Sequence, residues 1–331
     1  MTSEAKTTGL HILKGMGYFK LVSLLYKESV RILAYHRFGA SCVSTESFEK
    51  QIKYLIKHFN PISIGTYLGF LLGRRELLPN SVILTVDDGY RDFYGIAFPI
   101  LRKYEIPAAV FITTDFIDKG IWLWHDLLNF GLKNTPLNNF ILNGRSFDIS
   151  GQIGKLQLKL RLDQLCTRLA PIERDELINQ LLKDLHVTVP ERPTPDYAPL
   201  KWNQILEMSK CGISFGSHTC THPILSRLPV QEALYEIRES KRRIEEVTQR
   251  EILSICYPNG KEGDFNEKVK LMVKEAGFRC AMSLIYGMNS LDSDPYELRR
   301  MALDGRSYIH FLHDVSGFGE LRNSLRRKAL R

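Results

Sequence analysis

An apolar run, Val82-Ile83-Leu84, passes directly into Thr85-Val86-Asp87-Asp88-Gly89-Tyr90, and no other segment restricts the fold as strongly. A strand turns successive side chains to opposite faces, so adjacent aspartates cannot both be plain surface residues unless the strand ends at them. Gly89 marks such an end. The pair then has two readings. One is a solvated Asp-Asp-Gly turn. The other is a chemical site in which one carboxylate binds a cation while its neighbour acts on water attached to the same ion, a division of labour suited to metal-assisted hydrolysis.

A second constellation favours the site. Ser214 to Pro223 reads S-F-G-S-H-T-C-T-H-P, with His218 and His222 four residues apart. That spacing brings both imidazoles onto one side of a single helical turn, where they can share a metal. Pro223 disfavours continued helix at His222, so a short turn after the Ile213-Ser214-Phe215 strand is expected, with both rings aimed at the same point as Asp88. Structural histidines are common, but the pair combined with the Asp-Asp-Gly strand end is a stronger signal. Two His and one Asp leave coordination positions open for water and substrate.

These residues resemble the polysaccharide deacetylases, the family 4 carbohydrate esterases. The family's T-F-D-D-G motif is present as Thr85 to Gly89 with Val86 for Phe, and its H-[ST]-x-x-H motif is intact as His218 to His222. The resemblance implies Asp87 as general base and Asp88, His218 and His222 as ligands of a divalent metal. Zinc is preferred for such a set, with cobalt, nickel or manganese able to occupy it. Ile255 to Gly260 is similar to the family's R-x-P-Y-G loop and would give Asn259 the oxyanion-binding N–H, but Cys256 stands where the family has Arg. Arg300, in a segment similar to L-x-R-[IM] of one family branch, is the candidate replacement tether for Asp87, with Arg299 as the alternative. The same branch opens with a strand like Arg31 to Phe38, which resembles a circular permutation and implies His36 as general acid. His313, at the conventional end of the chain, is its rival.

The resemblance runs from about Arg31 to Arg300. Within it, Leu101 to Ile112 reads as helix end, turn and strand, Val230 to Val247 as a long helix, Ile252 to Tyr257 as a strand and Glu267 to Ala276 as a helix stopped by Gly277. Strands alternating with helices imply an α/β fold with a parallel sheet, here the distorted β/α barrel of this family. The expected organisation is an N-terminal segment over 1–30, a catalytic domain over 31–315 and a basic tail over 316–331. The stretch from about 120 to 200 breaks the rhythm and is expected to be a helical insertion, since loops this long without structure are uncommon. Trp122 and Trp124 within it either stack on sugar faces or anchor the insertion, and His125 and Asp126 are possible supporting residues.

A chain of 331 residues with 44% hydrophobic content has ample material for a packed core. The six cysteines show no C-x-x-C pairing, which suits buried thiols rather than a disulfide framework. No convincing secretory signal is expected in the first 26 residues, and no apolar run reaches the ~18 residues of a membrane span, so a cytoplasmic enzyme is the first expectation. The net charge of +8, with lysines around the N-terminal apolar segment and Arg322, Arg326, Arg327, Lys328 and Arg331 at the other end, would suit peripheral contact with anionic lipid at the inner membrane surface, but the lysines are not segregated to one helical face, so docking of that segment onto the barrel is the favoured expectation. No recognition motif for nucleic acid accompanies the charge. The leading expectation is a metal-dependent hydrolase that removes an N-acetyl or other N-acyl group from an amino sugar of a glycan or lipid-linked glycan. The alternatives are an amidohydrolase or deformylase acting on a small or lipid-linked substrate, and a catalytically silent carbohydrate-binding protein.

Overall fold

The structure, a computed structural model, describes residues 8, 10, 13–14, 17–39, 42–74, 76–303 and 307–322. The arginines and lysine of the tail beyond Arg322 lie outside the described residues. Ten strands are present among the described residues: β1 Arg31–Tyr35, β2 Asn60–Pro61, β3 Ser81–Val86, β4 Ala108–Ile112, β5 Asn139–Leu142, β6 Arg145–Asp148, β7 Ile213–Ser217, β8 Ser254–Cys256, β9 Cys280–Met282 and β10 Met301–Ala302. Eight form one sheet in the order β10-β1-β3-β4-β7-β8-β9, with β2 added beside β3, and every pairing in it is parallel. The two ends of this sheet meet through Leu298–Leu303. Leu298 bridges Met282, while Met301 pairs with Leu33 and the Leu303 N–H donates to the Ala34 carbonyl. The sheet therefore curls into the distorted β/α barrel expected for the chain.

The central strands β1, β3 and β4 are buried along their whole length, as continuous apolar strands covered on both faces must be. Alternation divides their side chains into two cores. Leu33, Leu84, Val110, Phe215 and Ile255 face the surrounding helices. Ile32, Ile83, Phe111, Cys256, Met282 and Leu298 fill the barrel interior, plugged at one end by Tyr67 and Leu68 of the helix Ile64–Leu71. Continuing the inward parity along each strand reaches Asp87 after Ile83 and Thr85, His36 after Ile32 and Ala34, and Arg300 after Leu298. The chemistry-bearing residues are thus set at the C-terminal mouth of the barrel by strand register.

Between β4 and β7 lies an insertion with a core of its own, in which Trp124, Leu128, Leu132, Leu158, Leu162, Ile178 and Leu182 pack together. Its helices are Trp124–Asn134, Gln152–Cys166 and Pro171–Asp184. It also contains the antiparallel hairpin β5-β6, which departs from the purely helical expectation. The cause is local: Asn143 and Gly144 both take positive φ, 52° and 75°, the two-residue turn that matches strand twist.

At the other edge the helix Tyr18–Leu25 buries Phe19 and Val22, and Phe19 meets the ring of His313 on the helix Tyr308–Ser316. The fully buried Arg31 joins these parts, donating from Nε to the Val315 carbonyl and from a terminal nitrogen to the carbonyls of Tyr26 and Ser29. No helix among the described residues is long and apolar enough to cross a membrane.

Candidate active site

At the end of β3 the chain turns sharply. Asp88 has φ 71° and Gly89 φ 90°, and a Cβ on Gly89 would sit 3.0 Å from the Ile112 side chain. A left-handed aspartate is an uncommon conformation, and here it swings Asp88 sideways toward β7 while Asp87 continues the inward parity of the strand. The neighbouring carboxylates consequently serve different partners.

Asp87 is 1% exposed and is gripped by an equally buried Arg300, which donates to Oδ1 at 2.8 Å and to Oδ2 at 2.7 Å. Arg300 is itself fixed by donating from Nε to the Ser283 carbonyl at 2.7 Å and from a terminal nitrogen to Thr85 Oγ1 at 3.0 Å. Burial opposes ionisation of Asp87, but Arg300 outweighs it and holds the carboxyl down to about 2. Arg299 takes no part; its backbone exchanges hydrogen bonds with the Asn289 side chain. Cys256 fills the remaining space, its sulfur accepting from Arg300 at 2.9 Å and its S–H donating to Asp87 Oδ2 at 3.4 Å. Burial pushes this thiol up despite the nearby guanidinium, so it stays protonated.

Asp88 faces the two histidines. Its Oδ1 lies 3.4 Å from Nε2 of His218 and 3.4 Å from Nε2 of His222. That oxygen is buried and accepts no hydrogen bond, as does a carboxylate oxygen that awaits a cation. His218 Nδ1 is 2.8 Å from the Cys256 carbonyl, an acceptor that obliges the ring to carry its proton there and leaves the Nε2 lone pair toward Asp88. Burial and the adjacent His218 push the His222 imidazole well below its ordinary value, keeping it neutral. The Asp88 carboxyl, whose ionisation burial opposes, is held well below the usual range by the imidazoles. Burial opposes protonation of His218, but its contacts with Cys256, Asp88 and Asp87 outweigh it and push that imidazole well above its ordinary value, so a divalent metal held by one ionised carboxylate and two ring nitrogens would displace the His218 proton. Asp87, His218 and Cys256 also come together, but Arg300 already donates to two of them, and an ion there would meet its positive charge.

The turn carrying the histidines is not the helical turn expected from their spacing. Thr219 and His222 have φ 67° and 61°, and the segment is irregular. Glu236, from the helix Val230–Thr248, holds it: its carboxylate accepts from the N–H groups of Cys220 at 2.7 Å and Thr221 at 3.0 Å and from the Thr221 hydroxyl at 2.7 Å. Sequence reading missed this residue. Its signal was a carboxylate among Ala233, Ile237 and Ser240 on the buried face of that helix.

His36 follows β1, with Nε2 3.6 Å from Asp87 Oδ2. His313 is remote from the pocket, pairing with Asp314 at 2.8 Å and packing on Phe318. Asn259 lines the pocket with φ 59°, and Gly260 must be glycine because a Cβ there would lie 2.8 Å from the Leu284 nitrogen. From the insertion, His125 and Asp126 reach Tyr90, whose hydroxyl donates to Asp126 Oδ2 at 2.6 Å and lies 3.0 Å from His125 Nε2. Trp122 anchors the insertion, donating to the Pro190 carbonyl and packing on Phe130 and Tyr197. Trp124 belongs to the insertion core and also borders the pocket. The pocket measures about 250 Å³ and adjoins a cleft of about 740 Å³; Asn129 and Lys159 line both.

This arrangement sits in a chain whose residues 74–281 match the polysaccharide deacetylase family, and the chain belongs to that family. Its relatives include YxkH of Bacillus subtilis (strain 168), provisionally named a polysaccharide deacetylase, which is 23% identical over 276 residues, 82% of this chain and 70% of that protein. The poly-β-1,6-N-acetyl-D-glucosamine N-deacetylase of Staphylococcus aureus (strain MSSA476) is 38% identical over 77 residues, only 23% of this chain and 26% of that enzyme. Among solved structures, IcaB from Ammonifex degensii shares the fold with a TM-score of 0.60 at 17% identity, covering 87% of this chain and 97% of its own.

Proposed function

We propose that this chain is a metal-dependent hydrolase that removes an N-acyl group, acetyl foremost, from an amino sugar of a glycan. The observation that carries the reading is the separation of roles between adjacent carboxylates: Asp88 faces His218 and His222, while Asp87 is locked by Arg300 beside His36. Asp88, His218 and His222 would hold the divalent ion, with zinc preferred for this donor set. When bound there, such an ion supplies a Lewis acid that polarises the acyl carbonyl and acidifies water.

The chain's own residues supply the rest. Asp87, ionised across the neutral range, accepts a proton from the attacking water. The Asn259 N–H donates to the acyl oxygen as negative charge develops on it. His36 gives a proton to the departing nitrogen. A silent binding role accounts poorly for a buried carboxylate held ionised beside a histidine, because neither binding nor stability needs that pair. The relatives named for deacetylation of poly-N-acetylglucosamine support an amino-sugar polymer as the substrate class. A cytoplasmic location is part of the proposal, supported by four buried thiols, Cys166, Cys220, Cys256 and Cys280.

The test is release of acetate and formate from polymeric, oligomeric and lipid-linked amino sugars by the metal-loaded protein. Acetate is the expected product, and it should vanish in Asp87→Asn. Formate alone would move the assignment to deformylation, and release of neither would end the hydrolase reading.

A further inference from the structure

We infer that the outer face of the insertion helix Gln152–Cys166 is a docking surface for an anionic lipid bilayer. The inference deepens the proposed activity and rests on it in one respect: the glycan entering the adjoining cleft is then membrane-anchored.

The helix buries Leu158, Leu162 and Cys166 in the insertion core. A helix that only covered that core would carry polar residues opposite them. Instead Ile153, Leu156 and Leu160 are 76%, 56% and 54% exposed. Their spacing of three and four residues aligns them in one stripe, with the uncharged Gln157 and Gln164 on the same face. The charged residues of the helix are Lys155, Lys159, Arg161 and Asp163, and the single acid is spent on Lys159 at 2.6 Å. Beside the stripe the hairpin adds Arg145, which lines a shallow groove with Leu160 and Arg161.

Lys155 and Lys159 lie toward the cleft, and the cations that border the stripe are the exposed Arg161 and Arg145; an apolar stripe bordered by cations suits a membrane interface and complements anionic headgroups. A second copy is a poor occupant, since a two-fold contact would oppose the same cations on both sides. Position gives the surface its purpose. Lys155 and Leu156 also line the cleft that adjoins the catalytic pocket, so the stripe and the cleft share a rim.

The test is flotation of the full chain with vesicles of phosphatidylcholine, alone or mixed with phosphatidylglycerol. The protein should float with the mixed vesicles, be released by salt, and float weakly with phosphatidylcholine alone. The double variant Ile153→Ser with Leu160→Ser, neither of which lines the cleft or the pocket, should bind about tenfold more weakly or less. Leu21→Ser with Leu24→Ser, on the exposed face of the helix Tyr18–Leu25, should bind as the parent does. Failure of the parent to float, loss of binding only in the Leu21 and Leu24 variant, or a dimer that the Ile153 and Leu160 variant splits would each overturn the surface. Flotation needs no substrate. Vesicle binding without release of acetate or formate from any amino sugar would therefore sink the hydrolase reading and leave the surface standing.

Discussion

Arg300 closes on both oxygens of Asp87 from 213 residues further along the chain, and the two are almost completely buried. The pairing exists because Leu298–Leu303 completes the barrel between β9 and β1 and points Arg300 inward at the level where β3 ends. The guanidinium and the Cys256 sulfur together fill the space beside the Asp87 carboxylate.

Removing that arginine should leave a buried carboxylate without its partner. Arg300→Met is expected to cost about 3–5 kcal/mol of stability and to move the acid limb of the pH–rate profile upward, because Asp87 then protonates more readily. Arg299→Ala should change neither by much. In the parent, the folded carboxyl at about 2 lies below its unfolded value of about 3.9, so the stabilisation is present above the unfolded value and is lost as pH falls toward 2. Thermal unfolding between pH 5 and 2 measures it, and an Arg300→Met variant with the same acid slope as the parent would refute the pairing.

Metal retention should separate the adjacent carboxylates. His218→Ala and His222→Ala are expected to lose stoichiometric divalent metal by elemental analysis while keeping the fold by circular dichroism. Asp87→Asn should retain the metal and lose turnover, because it removes a base without removing a ligand. Full occupancy in the double His variant would refute the ligand set.

Much of this site was legible in the sequence, and the reason is locality. Asp87, Asp88, His218 and His222 sit at strand ends within short motifs whose residue types state their chemistry. Resemblance to L-x-R-[IM] places Arg300 ahead of Arg299, but that Arg300 reaches Asp87 follows from the register of the closing segment, a property of the whole barrel. The Asn143-Gly144 hairpin had a local signal, overlooked because the surrounding stretch reads as helix. The irregular His turn was not legible from spacing, since its shape depends on Glu236, which arrives from the next helix.

That dependence can be measured. Glu236→Ala leaves the N–H groups of Cys220 and Thr221 without their acceptor, which should cost about 1–3 kcal/mol and let the His222 ring wander. Metal affinity should fall about 10–100-fold, as when other residues that orient ligands are lost. Glu236→Gln, which keeps one acceptor oxygen, should recover part of it. Unchanged affinity in Glu236→Ala would show that the turn holds its shape without the carboxylate.

Substituting two histidines in turn would identify the proton donor. His36 lies at the mouth of the barrel, 3.6 Å from Asp87, whereas His313 is held between Asp314 and the rings of Phe19 and Phe318 on the outer helices. His36→Ala should keep metal and substrate binding, lower turnover about 10²–10⁴-fold, and flatten the alkaline limb of the pH–rate profile, which reports loss of the acid's proton. His313→Ala should lower stability and leave that limb in place, because its contacts are all structural. If the alkaline limb instead survives in His36→Ala and disappears in His313→Ala, the acid belongs to the C-terminal helix and the N-terminal strand has no part in the chemistry.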